Sequence, residues 1–138
     1  MRVKEFFKAI RRERRELERM AERVREAEIE LLPKAIRYDL DKVQSSPGDP
    51  MFAVAAEAEQ YRRAMLKMYR RLMERKTKAA QMIETLEDSR HRQVLQLYVL
   101  DGLSMIQTAD AMGYTSRAAY GFYSEGLRIL QNRFSEFQ

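Results

Sequence analysis

The feature that most constrains this chain is a pair of apolar seams with alternating spacings of three and four. The first runs Val3, Phe6, Ile10, Leu17, Met20, Val24, Ala27 and Leu31, interrupted by Glu13. The second runs Met51, Val54, Ala58, Tyr61, Met65, Met68, Leu72, Ala79, Met82 and Leu86, with Arg75 as its polar member. A repeat of about 3.5 residues on a helix makes one narrow apolar stripe, which only another helix can cover along its length. At about 1.5 Å per residue the two helices would be roughly 44 and 54 Å long, so they must pair with each other or with copies. The spacing therefore predicts an all-α fold in which residues 1–87 form a long antiparallel, coiled-coil-like hairpin. Its Met-rich stripe is read as core, and the Met and Tyr surface left over predicts a homo-oligomer through the same residues. With Gly 5 and Pro 3 in 138 residues, little interrupts these helices.

Residues 33–50 read as a connector, longer than the roughly 2–8 residues usual between paired helices. Asp49 before Pro50 is an N-cap followed by a first-turn proline, because the carboxylate accepts orphan amides and proline has no amide to leave unpaired. The short polar side chains from Asp41 onward end in a Pro47-Gly48 turn. The stretch is either turn and cap or a loop that meets a partner. Along the first helix, Arg15, Glu18, Arg19, Glu22 and Arg23 sit at neighbour spacing, each pair contributing tenths of a kcal/mol. That charged face is either simply solvated or an anion-binding stripe.

The C-terminal third changes character. Asp88 is placed to cap a helix through Arg90, Val94, Leu95, Tyr98 and Val99 to Asp101, ended by Gly102. Ser104 caps a short helix over 105–112 with Ala109 at its middle, and Gly113 supplies the left-handed residue of a tight turn. Thr115 or Ser116 caps a last helix whose inward face holds Ala119, Phe122, Tyr123, Gly126 and Leu130. Short helix, glycine turn and longer helix is helix-turn-helix spacing, predicting a second domain over 88–138. Gly121 and Gly126 each cost about 1 kcal/mol inside a helix, which implies a close approach at those points.

Several function classes are excluded on composition. Cys is absent and His91, read as a surface residue, is the single histidine, so neither a thiolate site nor a His-rich metal centre is expected. No Gly-rich phosphate loop, no nucleophile beside a base and no acidic cluster at metal spacing is present, so the chain is read as a non-enzyme without catalytic residues, cofactor or metal. Apolar runs fall far short of the roughly 18–20 residues of a membrane span, and the charged N-terminus is unlike a targeting peptide. A soluble, cytoplasmic protein without membrane contact is expected. The net charge is +5, made of 21 Lys+Arg against 16 Asp+Glu in residues 1–87 and five of each in 88–138. An anionic partner such as nucleic acid fits that balance, although the excess is wholly N-terminal.

The run from Arg92 to Tyr98, then Gly102, Ser104, Ala109, Met112, Gly113, Tyr114, Thr115 and Leu127, resembles region 4 of bacterial sigma-70-type factors, the part that reads the promoter's -35 element. The whole layout, with Val43-Gln44-Ser45-Ser46 followed by Asp49, is similar to a family of small phage and prophage proteins that includes RinA- and ArpU-like late transcription regulators. The chain departs from the pattern at Thr108, where an aliphatic residue usually precedes the alanine, and at Ile106, where a polar residue is common. An exchange of roles between these two would alter the pitch of the short helix.

The resemblance implies a DNA-binding regulator in a bacterial host cell, with double-stranded DNA and host RNA polymerase as partners. The DNA-facing positions would be Ser104, Tyr114, Ser116, Arg117, Ala118, Tyr120, Gly121 and Ser124. Arg117 is able to grip guanine O6 and N7, Ala118 to touch a thymine methyl, and the hydroxyls to meet phosphates. Arg117 and Tyr120 read equally as ordinary surface residues. Neutrality of the last third argues against strong binding by that part alone, since phosphate neutralisation supplies most nonspecific affinity. Dimerisation or an RNA polymerase would compensate. Two rivals stand beside this reading: a DNA-packaging protein of small-terminase type, and a helical interaction module that binds no DNA.

Overall fold

Chain order in the computed structural model is α1 (Val3–Asp41), α2 (Pro50–Ile83), α3 (Ser89–Leu95) prolonged by a π turn (Gln96–Leu100), α4 (Met105–Met112) and α5 (Ser116–Arg133). The structure describes residues 2–41 and 50–135, and side chains outside residues 31–51. The fold is all-α, with five α-helices and no strand among the described residues. Val43 to Ser46, the Pro47-Gly48 turn and the Asp49 cap lie outside the described residues. α1 differs from the sequence expectation: it passes Leu31 and runs through Pro33 to Asp41, into the stretch read as a connector. A proline inside a helix removes one ladder bond, but a helix already nucleated gains a bond for each further residue it adds, and here it propagates past the break.

The chain forms two compact units, Met1–Arg14 with Arg71–Gln138 (unit 1) and Arg15–Arg70 (unit 2). In unit 1 the fully buried side chains include Phe7, Ile10, Ile83, Leu95, Val99 and Leu130. α5 packs on α3 and α4. Val3, Phe6 and Ile10 are buried as the seam predicts, but Phe7 and Ala9 are buried too, so the start of α1 is covered on more than one stripe. On α2, Leu72, Ala79, Met82 and the off-seam Ile83 are buried. The two polar breaks in the seams meet: Arg75 forms an ion pair with Glu13.

Helix ends explain why the first fourteen residues belong to this unit. A helix C-terminus exposes carbonyls without partners, and cations near them are favourable. Here Arg11 donates to the Tyr98 and Leu103 carbonyls and lies 3.8 Å over the Tyr98 ring, while Arg14 donates to the Leu100 carbonyl at 2.8 Å. Gly102 has φ +73°, the left-handed conformation that favours glycine, and the Arg14 side chain fills the space beside it, with Cδ 2.6 Å from where a Cβ would stand. At the other end, the orphan Val3 amide donates to Gln131 Oε1 of α5 at 2.8 Å.

The remaining ends follow the local sequence. Asp88 accepts from the Arg90 amide at 2.8 Å and caps α3. Ser104 and Gln107 form a reciprocal capping box at the start of α4, with bonds of 3.1 and 3.0 Å. Gly113, at φ +76°, closes α4, with the Tyr114 amide bonded to the Ala109 carbonyl at 2.9 Å. Of the two possible caps for α5 it is Thr115 that accepts from the Ala118 amide, at 3.1 Å. Thr108 is fully buried and Ile106 is 73% exposed, so these residues have not exchanged roles: α4 keeps the pitch that turns Thr108 inward, leaving its hydroxyl without a partner among the described residues.

Unit 2 is built differently. Among its described side chains only Val24, Ala27 and Ala58 are buried, while Leu17, Met20, Tyr61, Met65 and Met68 are half-exposed. Arg62 pairs with Glu28 across the unit. Tyr61 donates to Glu57 at 2.8 Å, and that bond raises its phenol pKa. Met20 and Met68 share a shallow hollow with Glu16, Arg19 and Arg23. Ile29, Phe52, Leu66 and Tyr69 are exposed.

Candidate functional site

α5 turns about 100° per residue, so Arg117, Tyr120, Ser124 and Arg128 fall on one stripe, opposite the buried Ala119, Gly126 and Leu130. Arg117, Ser116, Gly121 and Ser124 are exposed, and Tyr120 is 58% exposed with its ring centroid 6.2 Å from that of Tyr123. Around Gly121 there is open space, since a Cβ would meet nothing within 4 Å; any close approach there comes from outside the chain. A Cβ on Gly126 would lie 3.2 Å from Leu95 Cδ1, so this glycine serves packing of α5 on α3.

The other residues singled out from the sequence are placed apart. Ala118 is half-buried on the flank next to Phe122. Ser104 is exposed at the start of α4, its side chain engaged in the capping box. Tyr114, in the turn, stands edge-on to Phe122 at 5.0 Å, and the Arg90 guanidinium lies 4.9 Å above the same ring. Arg90 also pairs with Asp88 at 2.9 Å, and this bond holds the Asp88 carboxyl well below the usual carboxylate range. His91 corrects the surface reading: its side chain is 12% exposed, and its ring lies 6.4 Å from that of Phe122.

A cleft of about 250 Å³ opens beside the outer stripe of α5. Arg2 and Lys4, at the start of α1, line it together with Tyr120, Ser124, Arg128 and Gln131. None of the described residues lining it is acidic. Arg128 is paired with Glu125, whereas Arg2 and Lys4 are exposed. Tyr123 lines the same cleft, and burial, with Tyr98 beside it, pushes its phenol up to about 12, so it stays a neutral hydroxyl. Comparison adds no relative. No family model, curated protein or solved structure matches this chain.

Charge is distributed by unit rather than by position in the sequence. Unit 1 holds 15 Lys+Arg against 10 Asp+Glu, and unit 2 holds 11 of each, so the entire net charge of +5 lies in unit 1, on the residues of 1–14 and 71–87 that accompany the neutral stretch 88–138 with α3, α4 and α5. Arg2, Lys4, Arg128 and Gln131 are the site residues that sequence reasoning missed. No local signal marks the first two, because what matters is their neighbour more than a hundred residues away. Among the described residues no three His, Asp or Glu side chains gather as metal ligands, and no helix is long and apolar enough to cross a membrane.

Proposed function

We propose that the chain is a phage- or prophage-type DNA-binding transcription regulator, in which α4, its glycine turn and α5 act as a helix-turn-helix of sigma-region-4 type. The observation that carries this reading is the pair of independently capped helices joined at the left-handed Gly113, with Arg117, Tyr120 and Ser124 on the open stripe of α5. A helix so presented enters the major groove by its first turns, where Arg117 reaches a guanine edge and Ser116, Tyr120 and Ser124 meet phosphates. The part-covered seam of unit 2 pairs two copies and doubles the contacts, and an RNA polymerase adds a further hold at a promoter. Selection of the full-length protein on random duplexes, alone and with RNA polymerase, is expected to enrich one motif. Arg117→Ala should then cost about 1–3 kcal/mol on that motif and little on random DNA. No enrichment under either condition would refute it. One observation favours a second reading: Ile106, Tyr114 and Tyr120 are all exposed, and large apolar groups on α4, the turn and α5 also suit a protein-binding face.

A further inference from the structure

A neutral reading helix is a poor DNA binder unless cations reach phosphate from elsewhere, because counterion release supplies most of the sequence-independent affinity. The last 51 residues, 88–138, carry five Lys+Arg and five Asp+Glu. The start of α1 adds Arg2, Lys4, Lys8, Arg11, Arg12 and Arg14 to the same unit against Glu5 and Glu13. Of these, Arg11 and Arg14 are engaged with carbonyls at the end of the π turn and after it. Arg2 and Lys4 are exposed and line the cleft beside α5.

We propose that this cleft holds a backbone phosphate of duplex DNA, with Arg2 and Lys4 as its cationic grips and Tyr120 and Ser124 as hydroxyl donors. The assignment rests on the reading of α5 as the groove-entering helix. Its geometry follows from the stripe on which these residues lie. Ser124 is seven residues beyond Arg117, about 10 Å along the helix, and the major groove is about 12 Å wide. When the first turn of α5 reaches base edges, the level of Tyr120 and Ser124 therefore meets the phosphate wall. The cleft opens at that level. The bond from the Val3 amide to Gln131 Oε1 ties the start of α1 to α5, so the backbone that carries the two cations is in place before DNA arrives. Because the grips contact phosphate rather than bases, they strengthen binding without choosing the sequence.

The test uses the full chain and a labelled random-sequence duplex, with affinity measured across a salt series for wild type, Arg2→Gln/Lys4→Gln, Arg117→Ala and the charge-matched control Lys67→Gln/Arg70→Gln in unit 2. The Arg2/Lys4 pair is expected to weaken binding roughly tenfold near 0.1 M salt and to lower the slope of log K against log salt by about 1–2, with the selected motif unchanged. The control should match wild type. Since both replaced residues are exposed, the melting curve should not move, and an altered curve would be met by repeating the series with Arg2→Lys/Lys4→Arg, which should keep the slope. Wild-type binding with an unaltered slope in the Arg2/Lys4 pair overturns the cleft and leaves the α5 reading standing. An equal fall in the control also overturns it, as an effect of total charge. Salt-dependent binding that needs Arg2 and Lys4 but enriches no motif supports the cleft and refutes sequence reading by α5. A wild-type chain that binds no duplex refutes both.

Discussion

Units 1 and 2 are made of the same two long helices, yet they are stabilised in different ways. Unit 1 closes a core of large apolar side chains, caps α3, α4 and α5 with side chains, and covers the carbonyls after α3 with guanidinium groups from α1. Unit 2 buries one valine and two alanines among its described side chains and relies on exposed ion pairs such as Arg62 with Glu28, which contribute little in water. The heptad pattern is interrupted at Glu13 and Arg75 in unit 1 and unbroken in the seams of unit 2, yet unit 1 is the better buried, so pattern alone does not measure burial. What differs is what accompanies the two long helices: unit 1 also contains α3, α4 and α5, and unit 2 contains no further described helix. In the proposed self-association, the surface left half-covered there is what a second copy would use.

The comparison is broken most directly at Phe7. If the start of α1 belongs to the core of unit 1, Phe7→Ala should cost about 3–5 kcal/mol in denaturant or thermal unfolding. A loss below about 1 kcal/mol would mean that the first turns of α1 do not pack with the C-terminal third.

Two glycines on one helix sharpen it next. Gly126→Val should destabilise by about 1–3 kcal/mol through overpacking against Leu95 and His91. Gly121→Ala, facing open space, should stabilise by about 0.5–1 kcal/mol. Equal effects of the two in calorimetry would contradict the orientation of α5.

The Glu13–Arg75 pair comes third. Arg75→Ala should cost about 1–2 kcal/mol, less than for a fully buried pair because Arg75 remains partly solvated. Glu13→Leu combined with Arg75→Leu should recover most of that loss. Failure of the double variant to recover would show that the loss in Arg75→Ala does not come from leaving Glu13 unpaired.

A pH series tests the cap of α3. The Asp88 carboxyl titrates lower in the folded chain than when unfolded, so its stabilisation is present above the ordinary carboxylate value and is lost as pH falls through and below it. The melting temperature of Asp88→Asn should lie below wild type at neutral pH, with the gap closing as the solution is acidified toward pH ~3. A gap independent of pH would remove the charged cap from the account. The smallest stability effect is expected in unit 2. Leu66→Ser/Tyr69→Ser should move the melting of a monomer by less than about 0.5 kcal/mol, because both are exposed, while lowering the mass seen by light scattering. A wild-type chain already monomeric at micromolar concentration would end the self-association argument.

How much was legible in the sequence can be judged element by element. The caps at Asp88 and Ser104, the glycine ends at Gly102 and Gly113, and the inward Ala119, Tyr123 and Leu130 were readable because each depends on residues within one or two turns. The all-α class followed from periodicity for the same reason. The run of α1 through Pro33 was not readable, since a proline's local cost was outweighed by the cooperativity of a long helix. Thr108 was ambiguous because its hydroxyl argues for solvent and only the packing of α4 on α5 turns it inward.

For the candidate site, the outer stripe of α5 was legible from its spacing, and the cleft was not. The sequence by itself determined that the chain is helical, where α3 and α4 begin, where the helical stretch before Gly102 and α4 end, and that its positive charge lies in the first 87 residues, because these follow from local propensity, capping and composition. Only the tertiary structure decided that Glu13 meets Arg75, that Arg11 and Arg14 cover the carbonyls beyond α3, and that Arg2 and Lys4 stand beside Tyr120 and Ser124. The physical reason is that such contacts join residues up to about 120 positions apart, and no local free energy distinguishes them until the core around Phe7 and Leu130 has closed.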